Sequence, residues 1–177
     1  MTYLIDASSL MQSQRVRYPL QNFPGVWDFL HELHKKDKLF SIDKVKDEIN
    51  DGDEHDELKK WVNNPKLNKF FTSANFVNLQ DNIRIIENGL ASKNYDPSAI
   101  FDFLKGTDCY LVAYAMRASA TEKIDYIVIT EEVASNSTMK IKIPDVCKIA
   151  DTEYNSFIGL IKKENPKFVL HKSGIVG

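Results

Sequence analysis

Asp125-Tyr126-Ile127-Val128-Ile129-Thr130 is the stretch whose reading decides the fold. From Tyr126 to Ile129 every residue is apolar, so a strand here has no face to offer to water. Such a strand belongs to a parallel sheet covered by helices on both sides. The start of the chain repeats the pattern: Tyr3-Leu4-Ile5 is short and apolar, closes at Asp6, and runs into Ala7, Ser8 and Ser9, which read as a polar loop. Leu39-Phe40-Ser41-Ile42 reads as a further strand. Between these runs the apolar spacing turns helical. Val26, Phe29, Leu30 and Leu33 share one helix face after the breaks at Pro19 and Pro24, and a helix from Asp43 turns Val45 and Ile49 inward. Residues 56–105 read as mostly helical with breaks near Pro65 and Pro97. Thr107 to Ala118 is apolar nearly all round and predicts a central, buried helix. Pro144 is placed to open another helix, Phe157, Ile158, Leu160 and Ile161 mark one more, and Phe168-Val169-Leu170 reads as a last short strand. Strands alternating with helices predict an α/β protein, a three-layer α/β/α arrangement around a central, mostly parallel sheet of about four to five strands.

A length of 177 residues suits one domain spanning 1–177, and neither a linker nor an internal repeat interrupts it. The apolar share of 43% and only 13 Gly and Pro residues exclude collagen-like and low-complexity classes. A formal charge of -2 gives no global positive field, so nucleic-acid binding has to rest on a local site. Cys109 and Cys147 form neither a CxxC pair nor a disulfide framework, which fits a reducing, cytoplasmic setting. No signal peptide is expected at Met1-Thr2-Tyr3-Leu4-Ile5-Asp6, and no apolar run is long enough to cross a membrane.

In an open parallel sheet the loops after the strands converge on one edge, where ligands bind. Asp6 and the Glu131/Glu132 pair belong to that edge. Asp108, in the first turn of the buried helix, favours the positive end of the helix dipole and is a candidate for the same place, with Glu48 a fourth acid from the helix after the second strand. Each also has an ordinary structural explanation as a turn acid, a first-turn acid or a solvated helix acid.

Together these blocks resemble the PIN-domain nucleases. Tyr3 to Leu10 is similar to that family's first block, with Ser8 at its small polar position; Val45 to Ile49 is similar to the second, Thr107 to Ala115 to the third and Ile127 to Glu132 to the fourth, where Glu132 stands for the more frequent Asp. A PIN-like family known only as a domain of unknown function is more similar still. It extends the resemblance through Phe23 to Leu30, Lys140 to Cys147 and Lys167 to Leu170, nearly the whole chain. The resemblance implies a metal-dependent ribonuclease, an endonuclease, with Mg2+ or Mn2+ as cofactor and Asp6, Glu48, Asp108 and Glu132 as catalytic and metal-binding acids. It further implies RNA as substrate, a homodimer and, as for VapC-like toxins of this size, restraint by a cognate antitoxin protein. Carboxylates are the hard oxygen donors those ions take, and clustering them is unfavourable until a cation relieves the repulsion.

Around these acids, Ser8 and Thr130 are expected to hold ligands or water by hydrogen bonds. Asp145 is a fifth metal-ligand candidate, equally readable as a first-turn helix acid. Glu131 rivals Glu132, since neighbours after a strand face opposite ways. Lys140 and Lys142 alternate along an extended segment and are candidate phosphate contacts, as are Arg15 and Arg17 with Tyr18 in the early loop, although solvated or loop roles serve as well. His31 and His34 read as surface histidines, because nothing completes a zinc set, and Trp61, Phe70 and Phe71 read as core or helix-packing residues. Glycine-rich dinucleotide and ATP loops are absent. The alternative function is a catalytically weak PIN-fold module that binds RNA or protein, kept open by the longer side chain of Glu132.

Overall fold

The computed structural model describes residues 1–52 and 57–168. A five-stranded sheet forms its centre, with strands β1 (Thr2–Ile5), β2 (Leu39–Ile42), β3 (Phe71–Thr72), β4 (Tyr126–Ile129) and β5 (Glu153–Asn155) in the order β3-β2-β1-β4-β5. Every pair is parallel, and helices flank the sheet as the outer layers of an α/β/α fold. The apolar runs occupy the middle: each residue of β1 and β4 is buried. The two edge strands escape the sequence pattern because they are short and partly exposed. Phe71 and Thr72 were expected in a helical region, and Glu153-Tyr154-Asn155 carries no apolar run at all. Of the last predicted strand, Phe168 is irregular and Val169 and Leu170 lie outside the described residues.

Helices α1 (Ala7–Gln12), α2 (Pro24–Lys35), α3 (Asp43–Asn50), α4 (Glu57–Val62), α5 (Phe76–Ser92), α6 (Pro97–Lys105), α7 (Thr107–Glu122), α8 (Ile143–Ile149) and α9 (Phe157–Glu164) supply the layers. The expected polar loop after β1 is instead helical. Asp6 caps α1 by accepting a hydrogen bond from the Ser9 backbone N–H, and a π-helical turn over Ser13–Arg17 continues it. Its serines suggested a loop, yet a capping Asp followed by buried Ala7, Ser9 and Leu10 makes a short amphipathic helix. Helix α7 is central as expected. It buries Cys109, Leu111, Val112, Ala113, Ala115 and Ala118 and packs against α3, α5, α6, α8 and β4. Helix α9 is fastened to the start of β1 and to the turn before β2 by Glu164, which accepts from the Tyr3 hydroxyl at 2.8 Å and from Lys38 at 2.9 Å.

His34 is buried, correcting its expected surface position. Its Nδ1 lies 3.2 Å from the Leu39 carbonyl oxygen, and its ring meets Phe40 and Phe70 edge-on. An imidazole can close a helix-to-strand corner while presenting an apolar body, and burial lowers its pKa below the ordinary histidine value. Trp61 packs edge-on against Trp27 and Phe70.

Gly89 on α5 packs against Ile149 on α8: a Cβ there would stand 2.2 Å from Ile149 Cγ2. Gly89→Ala gains roughly 1 kcal/mol in helix propensity but overpacks this contact, which costs about 1–3 kcal/mol. The expected outcome is a Tm lowered by about 2–4 °C. In a double-mutant cycle followed by thermal unfolding, Ile149→Ala should cost less in the Gly89→Ala background than in the parent, a coupling of about 1 kcal/mol.

Candidate functional site

The parallel pairing of β1 with β4 sets Ile5 opposite Ile129, so the first residues beyond both strands emerge side by side. Asp6 N–H donates to the Ile129 carbonyl oxygen at 3.0 Å, and Thr130 Oγ1 donates to Asp6 Oδ2 at 2.6 Å. Ser8 Oγ donates to the same oxygen at 2.6 Å, while Asp6 Oδ1 accepts from Ser9 N–H at 2.7 Å. Asp6 is only 2% exposed. Burial raises its pKa, and the hydrogen bonds from Ser8, Thr130 and Ser9 pull in the opposite direction without cancelling the rise.

Asp108 stands in the first turn of α7, which Gly106 leads without a side-chain cap. Its carboxyl is pushed up to about 7, first by burial and then by the charges of Glu132, Asp6 and Glu48; Lys142 acts the other way. Glu48, on α3, is exposed as a residue, and Thr107 borders the same cleft, where it favours the ionised form of the Glu48 carboxyl. Its pKa is raised, by burial first and then by Asp6 and Glu132. Asp6, Glu48, Asp108 and Glu132 are therefore electrostatic neighbours, drawn from four separate parts of the chain. Glu48 and Asp108 border an open cleft of about 560 Å³ between α3 and the start of α7, lined also by Lys44, Asp51 and Lys105. Among the described residues, no three acid, histidine or cysteine side chains stand in a finished arrangement for one metal ion.

Of the paired acids after β4, Glu132 turns to this cluster and Glu131 away from it. Glu131 accepts from the Phe157 N–H at 2.8 Å and pairs with Arg17 at 2.5 Å, which ties the start of α9 to the π-helical turn. Glu132 accepts from the Ile143 N–H at 3.0 Å and pairs with the Lys142 ammonium, and its own N–H donates to Thr130 Oγ1 at 3.1 Å.

Asp145 is taken up by the start of α8. It is buried at the start of α8, where its oxygens accept from the N–H groups of Ser135 and Lys142, so it fastens the loop 131–142 to the helix. Its charge acts on Tyr95, with which it lines a separate cavity. These contacts match its first-turn helix role. The proposed cationic contacts are also dispersed: Lys140 is exposed, Lys142 serves Glu132, and Arg17 serves Glu131. Arg15 stands beside Gly52, and Tyr18 is a packing residue, its ring against Phe23 and Phe157 and its carbonyl oxygen accepting from Trp27 Nε1.

Two roles were not apparent in the sequence. Thr107 favours the ionised form of Glu48 across the cleft they share, a role its place next to Asp108 at the first helical position could have suggested. Asp43, at the end of β2, belongs to the same sheet edge, yet its Oδ1 accepts from Lys44 and Ala74 N–H groups and so fixes the entry to α5.

The profile of a family described as a domain of unknown function, DUF4411, matches residues 3–168. The chain belongs to this family. No curated protein and no solved structure matches it. The family span runs from β1 past α9, so every residue of the acid cluster falls within it.

The electrostatics give a pH dependence with a definite sign. An Asp that titrates near 4 unfolded and at about 7 folded binds more protons folded across that interval. Its contribution is fully present below about pH 4, declines as pH rises and is lost above about 7. In cation-free buffer, Asp108→Asn should remove this slope. Thermal melts at pH 7.5 are expected to show the variant about 2–4 °C more stable than the parent, roughly 1 kcal/mol, with the difference shrinking as pH falls and gone below about pH 4.

Proposed function

We propose that the chain is a divalent-metal-dependent ribonuclease of PIN type that cleaves RNA phosphodiester bonds endonucleolytically. The observation that carries the proposal is that Asp6, Glu48, Asp108 and Glu132 act on one another electrostatically, Asp6 and Glu132 lying beyond the neighbouring ends of β1 and β4 and Glu48 and Asp108 along one cleft. Stability alone gives no reason to crowd like charges in a half-buried place, whereas a cation-binding edge does. The donor set is of hard carboxylate oxygens and fits Mg2+ or Mn2+; Asp6 and Asp108 would hold the ion, with Glu48 and Glu132 completing the site. When bound, such an ion supplies Lewis acidity and an activated water at neutral pH.

The chain's own residues do the positioning. Ser8, Thr130 and the Ser9 N–H fix Asp6 in one orientation. Burial and the neighbouring acids push the Asp108 carboxyl up to about 7, and a bound cation would favour its ionised form. Restraint by a cognate antitoxin, homodimer formation and a cytoplasmic setting belong to the same proposal. The buried thiols of Cys109 and Cys147, each pushed up to about 12 chiefly by burial, suit a protein that makes no use of disulfides. No helix among the described residues is long and apolar enough to cross a membrane.

A second reading, a PIN-fold binding module with weak or no catalysis, draws on the engagement of Glu132 by Lys142 and Ile143 N–H. The two readings separate in one experiment. With Mn2+ or Mg2+, the purified protein should cleave single-stranded or structured RNA, and Asp6→Asn or Asp108→Asn should reduce the rate by at least about 100-fold. Cleavage that persists in both variants removes the nuclease proposal. RNA binding without Mn2+ binding in calorimetry favours the module.

A further inference from the structure

Lys142 is the one cation whose ammonium contacts a member of the acid cluster among the described residues. It pairs with Glu132 Oε1, and it is the group that opposes the rise at Asp108. Its side chain is 28% exposed and that of Glu132 13%, so the pair sits at the boundary between cluster and solvent. The backbone at Lys142 is held independently of that contact: its N–H donates to Asp145 Oδ2 at 3.2 Å, and the next N–H, of Ile143, donates to Glu132 Oε2 at 3.0 Å. Asp145 also takes the Ser135 N–H, so both ends of the loop 131–142 are fastened to the first turn of α8. The ammonium can therefore leave Glu132 without the loop losing its anchor, because a four-carbon stem moves freely about a fixed backbone.

We propose that Lys142 is the chain's own counter-ion for the acid cluster: it occupies Glu132 while no divalent cation is bound and is displaced when one binds. The inference rests on the proposed cation-binding role of the four acids and adds to it a built-in competitor. Lys142 is then a positioning residue. It keeps Glu132 in the cluster of the empty protein and sets a threshold for cation loading, because every binding event has to break the ion pair. A lysine suits this exchange better than an arginine, whose bidentate fork would hold the carboxylate more firmly.

The test compares Mn2+ titration calorimetry and cation-free thermal melts, at pH 7.5, for the parent, Lys142→Met and Lys142→Arg. Lys142→Met keeps much of the apolar stem and removes the charge. It should melt at a lower temperature without cation, bind Mn2+ about tenfold more tightly, equivalent to about 1.4 kcal/mol, and show the larger Mn2+-induced rise in Tm. Lys142→Arg should keep the parent's cation-free stability and bind Mn2+ no more tightly than the parent. A purely structural lysine would lower stability without raising Mn2+ affinity. Unchanged or weaker Mn2+ binding by Lys142→Met therefore overturns the counter-ion role while leaving the metal site in place. Absence of Mn2+ binding in all three proteins overturns this inference together with the proposed function. Lys142→Arg serves as the folded control should Lys142→Met fold poorly, in which case tightened Mn2+ binding by Lys142→Gln is the outcome required.

Discussion

The pairing of β1 with β4 is the constraint from which the rest of the site follows. With Ile5 opposite Ile129, Asp6 and Thr130 leave the sheet as neighbours, and Asp6 satisfies one strand end with its backbone while its carboxylate takes the Thr130 hydroxyl. A slip of one residue would part Asp6 from Thr130 and exchange the apolar side chains that face the two helical layers, so close packing of strands buried throughout holds the register. The same carboxylate caps α1 through Ser9. One side chain thus links two strands and a helix before any role toward a ligand is considered, and its hydrogen-bond donors offset part of the cost of burying it.

Around that fixed acid the electrostatics run against the rest of the molecule. Elsewhere, carboxylates are placed to be satisfied: Glu131 by Arg17 and an N–H, Asp145 by two N–H groups, Glu164 by Tyr3 and Lys38. At the sheet edge, Asp108 and Glu48 are instead raised by burial and by each other's neighbours. The contrast separates acids that hold the structure together from acids that the fold holds together. Asp145 belongs to the first kind although it lies only three residues from Lys142, and Glu132 stands between the two kinds because Lys142 and Ile143 engage it.

The α/β architecture was legible because β1, β2 and β4 are interior strands, whose burial on both faces leaves an unmistakable apolar run. The edge strands β3 and β5 were not, since a strand of two or three residues paired on one side has no need of such a run. Helix α1 was hidden by its serines, which are as common in loops as at helix starts, and His34 by a polarity that says nothing of the corner it closes. The acids at the ends of β1 and β4 could be placed on one edge from topology alone. Which of Glu131 and Glu132 faces the cluster could not, because that choice depends on where α8 and α9 present their first N–H groups. The partners of Lys142 and Arg17 were likewise invisible, for each reaches an acid at least ten residues away through the fold.

The near balance of charge over the whole chain takes on a different meaning at this edge. A net charge of -2 spread evenly would neither attract nor strongly repel a polyanion. Here Asp6, Glu48, Asp108 and Glu132 stand as electrostatic neighbours, and Lys142 is the cation paired with one of them. On the proposed reading, a phosphate meets no favourable field at the cluster until external positive charge has arrived, so cation binding has to come before capture of the substrate. Such an order would make the protein's engagement with RNA depend on the divalent cation concentration rather than on ionic strength, the reverse of a protein that binds through a basic surface. On that reading, the β1–β4 register fixes Asp6, while the lysine stem of residue 142 is the group that would move.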